Sequence, residues 1–64
     1  MKIYYAETDR GCALRTAETL DKARAQFKRE VGEDNVRTVR EATEKDIDWV
    51  RGMGGYVPPF VKLE

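Results

Sequence analysis

A narrow apolar stripe runs through residues 19–31, TLDKARAQFKREV, and it restricts the fold more than any other stretch. Leu20, Ala23, Phe27 and Val31 recur in steps of three and four, which stacks them on one side of a helix of about 3.6 residues per turn. Asp21, Lys22, Ala25, Lys28 and Arg29 take the other side and stay wet. Thr19 directly precedes the stripe, as an N-cap would. Asp21 falls in the first turn and Lys28 and Arg29 in the last, which complements the helix dipole. Gly32 follows as a left-handed terminator. A helix with so thin a stripe cannot bury it alone, so the flanking segments must supply a surface.

Those segments read as strands. Residues 2–8, KIYYAET, are rich in aromatic and β-branched side chains. Asp9-Arg10-Gly11 is a three-residue turn with glycine at its left-handed position. Residues 12–18, CALRTAE, form a second strand; helix is the competing reading, because Ala, Leu, Arg and Glu all favour it. The Thr19 cap tips the choice to strand. Residues 36–41, VRTVRE, form a third strand in which Val36 and Val39 have opposite parity, so a regular strand turns only Val39 to the helix and a bulge is needed for both. Thr43 opens a second helix, with Asp46 placed as the acid of a capping box. Ile47, Trp49, Val50 and Met53 share its apolar side, and Gly52, Gly54 and Gly55 stop it. Pro58-Pro59 then begins an extended tail in which Phe60 and Val61 can cover core, and the closing Leu63-Glu64 resembles the junction before a purification tag.

The expected fold is α+β: one small β-β-α-β-α domain over residues 1–57, followed by a tail over 58–64. The hairpin makes the first two strands antiparallel. A crossover through the first helix brings the third strand beside the first, giving a three-stranded antiparallel sheet of order 2-1-3. The first helix is expected on the face of Ile3, Tyr5, Leu14 and Val39, with Cys12 at the margin. The opposite face then shows Lys2, Tyr4, Ala13, Arg15, Thr38 and Arg40, either open or under the second helix.

A chain of 64 residues buries only a small core, and one cysteine supplies no internal disulfide. With no histidine present, Cys12 lacks the usual base for nucleophilic chemistry and reads as a small strand residue. Twelve basic and 12 acidic residues give no net charge, so there is no global excess to attract nucleic acid. No apolar run approaches the roughly 20 residues of a membrane span, and MKIYYAETDRG has no apolar signal core. The expected setting is cytoplasmic.

Glycines 52, 54 and 55 follow a helix rather than precede one, which is the wrong order for a phosphate loop. Asp46 with Asp48, and Glu33 with Asp34, sit where caps and loops need acids, so no catalytic, cofactor or metal site is assigned. Two sets of binding residues remain. Trp49, Met53, Tyr56 and Phe60 concentrate aromatic and thioether groups of the kind found at protein contacts, although closing the edge of a small core would use them too. Lys2, Tyr4, Arg15 and Arg40 would let an open sheet stack a base and neutralise phosphates, although simple alternation also makes exposed strand positions polar.

The opening MKIYYAET, the segment AETLDKARA over residues 17–25 and ATEKDIDWVRGMGGYVP over residues 42–58 together resemble small uncharacterised proteins encoded by bacteriophages and prophages. The resemblance covers most of the chain and carries no functional residue. It implies a short accessory protein in a bacterial or phage setting. The lack of a catalytic or metal signature and the aromatics near the C-terminus make the expected role a non-enzymatic module whose partner is a protein, a second copy of the chain included. A nucleic-acid-binding accessory is the alternative.

Overall fold

The computed structural model describes residues 1–58. Strands β1 (Lys2–Thr8) and β2 (Gly11–Ala17) form a hairpin. Helix α1 (Leu20–Val31) and a short 3-10 turn (Glu33–Asn35) lead to β3 (Val36–Glu41), and helix α2 (Glu44–Gly52) follows. The sheet order is β2-β1-β3, with both pairs antiparallel, as the sequence predicts.

The local signals act as expected at the helix ends. Thr19 accepts a hydrogen bond from the Lys22 N–H, and the Gly32 N–H, at φ 96°, donates to Lys28 O. The positive φ of Gly32 is what favours glycine there; a Cβ would approach only the Asn35 side-chain amide, at 3.1 Å. The hairpin loop is shorter than expected: Gly11 pairs with Thr8, leaving Asp9-Arg10 as the connection, and Gly11 opens β2 with φ 109°. In β3 the bulge is present. Val39 pairs with Ala6 and Val36 with Thr8, Arg37 being skipped, so both valines pack on the α1 side.

The face assignment is corrected. α1 does not lie on Ile3, Tyr5 and Leu14. Its buried Ala23 and Phe27 pack with Tyr4, Ala6 and Ala17, flanked by Ala13, Val36 and Val39. Ile3, Tyr5 and Leu14 face the other way, packing with Ala42 and Val50 and with the half-buried Cys12, Ile47 and Val57. β1 is therefore covered on both sides, and Ile3, Tyr4, Tyr5 and Ala6 are buried in succession. A strand buried on both faces shows a continuous apolar run, and IYYA is such a run. On the α1 side, three buried alanines, Ala6, Ala17 and Ala23, surround the two large rings of Tyr4 and Phe27. Leu20 does not join that core; it is 38% exposed at the end of the stripe.

α2 is closed by a tight return. The Gly55 N–H donates to Val50 O at 2.9 Å, and a side chain at Gly55 would meet Val50 Cγ1 at 2.7 Å. This return brings Val57 against the core and buries Pro58.

Candidate functional site

Besides the packing of Val50 and Ile47, a charged link ties the second helix to the sheet. Thr43 and Asp46 complete the capping box: the Asp46 N–H donates to Thr43 Oγ1, and the Thr43 N–H donates to Asp46 Oδ2 at 2.8 Å. The Arg40 guanidinium, arriving from β3, donates through Nη2 to Asp46 Oδ1 at 2.8 Å and through Nη1 to Oδ2. It also lies over the Tyr5 ring, 4.5 Å from the centroid. Arg40 first, and then the Thr43 N–H and hydroxyl, hold the Asp46 carboxyl down at about 2, against the opposing effect of burial. On the same sheet face the Tyr5 hydroxyl and Cys12 Sγ share a hydrogen bond at 2.9 Å, and that bond together with burial pushes the Tyr5 phenol above its ordinary range.

This arrangement separates the four residues expected to make an exposed nucleic-acid face. Tyr4 is only 5% exposed and packs under α1, so its ring offers no surface for a base. Arg40 pairs with Tyr5 in the ladder and lies on the opposite side of the sheet from Tyr4. Lys2 sits 3.5 Å from the Glu41 carboxylate. Arg15 pairs with Glu30 of α1 at 3.0 Å, donates from Nη1 to Leu14 O at 2.7 Å, and stands 6.0 Å from the Tyr56 ring. The Arg15 guanidinium thus binds Glu30 of α1 and the β2 main chain at once, with the Tyr56 ring on its other side.

The residues expected at a protein contact divide as well. Trp49 and Met53 are one turn apart on the same flank of α2, and they are 62% and 54% exposed. The buried stripe of α2 is therefore narrower than the sequence suggests. Val50 is fully inside, Ile47 half inside, and Trp49 and Met53 stand clear. Tyr56 is 62% exposed past the helix end, beside Arg15. Phe60 lies outside the described residues.

The concave features are shallow. One groove of about 410 Å³ runs between α1 and β3, lined by Arg24, Lys28, Val36 and Val39 among others. A second of about 240 Å³ lies along Glu44, Ile47, Asp48 and Arg51. Among the described residues, no three Cys, Asp or Glu side chains converge as a metal site would require, and no helix is long and apolar enough to cross a membrane. No protein-family model, curated protein or solved structure matches the chain.

Proposed function

We propose that the chain is a non-enzymatic protein-binding module, an accessory protein of a phage or prophage acting in the bacterial cytoplasm. The observation that carries this reading is the exposure of Trp49 and Met53 on one flank of α2, a helix whose other side is committed to the core. Leaving a tryptophan and a methionine in water forgoes the burial that a small domain most needs, about 1.5–3 kcal/mol for a large apolar side chain. A partner that covers them recovers it, and tryptophan is enriched among residues that dominate contact energies. Tyr56 adds an exposed aromatic beyond the helix end. The nucleic-acid alternative has no comparable support, since its only aromatic, Tyr4, is buried.

Light scattering of the purified chain and affinity capture from a bacterial lysate, each run beside a W49A/M53A double variant, test the proposal. The expected result is a complex of fixed stoichiometry, with itself or with a captured protein, which the double variant loses while keeping its melting temperature. A strictly monomeric wild type that captures nothing overturns it.

A further inference from the structure

The two edges of the sheet are unlike one another. At β2, the ladder alternation set by the Thr8–Gly11 pair turns the amide groups of Cys12, Leu14 and Thr16 outward, and Arg15 occupies the middle of that edge by donating to Leu14 O at 2.7 Å. At β3, the Ala42 N–H donates to Ile3 O, so the same alternation places Arg40 and Thr38 in bonded pairs and turns the N–H and C=O of Val39 and Glu41 outward. Among the described residues, the one side-chain hydrogen bond to a β3 carbonyl is a long one, from Arg40 Nη1 to Glu41 O at 3.4 Å. An edge left in this state is a template for another strand.

The ground beside that edge is basic. Arg24 and Lys28, one turn apart on α1, line the groove that runs along β3, above the half-buried Val36 and Val39. Each is held only in a long, exposed ion pair: Arg24 lies 3.8 Å from Asp21, and Lys28 lies 3.8 Å from Glu33. Exposed pairs of that length contribute little and are readily exchanged. Arg37, also on the groove, is committed to Asp9 at 2.8 Å, so recognition falls to Arg24 and Lys28.

We propose that the outer edge of β3 takes up an extended acidic peptide segment as an added strand, with Arg24 and Lys28 reading carboxylates at alternate positions. The peptide backbone pairs with the outward amide groups of Val39 and Glu41. Every second side chain of the peptide then falls on the α1 side of the sheet, where Val39 forms the floor and the two cations form the wall. The surface is separate from Trp49 and Met53 and does not depend on them.

Fluorescence anisotropy with a labelled peptide of alternating Glu and Val tests this, beside the same peptide N-methylated at alternate amides and a Lys/Val counterpart. The Glu/Val peptide is expected to bind and to weaken with added salt. It should slow hydrogen exchange at the Val39 and Glu41 amides and bind W49A/M53A as tightly as wild type. R24E/K28E should weaken it by about tenfold or more, with an unchanged far-ultraviolet spectrum. Equal binding of the N-methylated peptide, equal binding of the Lys/Val peptide, or self-association of the chain through β3 in place of peptide uptake would each overturn the proposal.

Discussion

Arg40 and Asp46 meet end-on, the two terminal nitrogens of the guanidinium donating to the two oxygens of the carboxylate, while the same carboxylate caps α2 through the Thr43 N–H. One acid thus satisfies a helix terminus and ties that helix to a strand. The Asp46 side chain is only 12% exposed, so the link is less open to water than the other ion pairs of the surface. Replacing Asp46 with alanine removes the cap and leaves Arg40 without this partner. The expected cost is about 1–2 kcal/mol, read as a lower midpoint in urea with an unchanged slope.

The same pair sets an acid-side dependence. Asp46 titrates at about 2 in the folded chain against an ordinary 3.8, so its contribution is complete above 3.8 and is lost as pH falls from there through about 2. Urea midpoints measured across that window should fall more steeply for wild type than for D46N, whose neutral amide has nothing to lose. Parallel profiles for the two proteins would remove Asp46 from the acid response.

The Tyr5 phenol acts at the other end of the scale. Its ionisation is deferred above the ordinary 10.0, first by the hydrogen bond with Cys12 and then by burial. As pH rises past 10.0 the unfolded chain gives up this proton before the folded one does, so stability declines with pH there. Ultraviolet titration of the folded protein should show one tyrosine ionising late, and C12A should bring that step back towards the ordinary value.

Among the described residues Phe27 is the largest fully buried side chain, and it belongs to a core otherwise made mostly of alanines. Alanines cannot close the space that its removal leaves. F27A should cost about 3–5 kcal/mol and unfold much of the chain at ordinary temperature, a loss visible by circular dichroism.

Gly55 presents a purely steric constraint. Its φ is not in the left-handed region, yet a Cβ there would come within 2.7 Å of Val50 Cγ1. G55A should therefore destabilise by about 1–3 kcal/mol, and V50A/G55A should cost less than the sum of the two single changes, because the smaller side chain relieves the contact. Simple additivity of the two changes would contradict the contact.

The parts of this fold that were legible in the sequence are those decided within a few residues. Thr19 and Gly32 bracket α1, and Thr43 with Asp46 opens α2, because a cap is a bond between near neighbours. The sheet order followed from connection lengths. The face assignment did not follow, because it depends on the register between β1 and β3, which are far apart in the chain. Val39 pairs with Ala6, so the face it shares with α1 is that of Tyr4 and Ala6, and Arg40, beside Tyr5, falls on the other. The readable clue was IYYA, an apolar run with no alternation, which marks a strand covered twice. Trp49 and Met53 were identifiable as candidates by composition, but only the geometry of α2 separates them from the buried Val50.

The contact surface is open to a direct measurement because Trp49 is the only tryptophan. Collisional quenching of its fluorescence by acrylamide, in the isolated chain at high dilution and in the complex formed at working concentration or captured from lysate, reports whether a partner covers it. Free quenching in the isolated chain and strong protection in the complex is the result expected of a binding surface centred on Trp49 and Met53. Equal quenching in both states would contradict it.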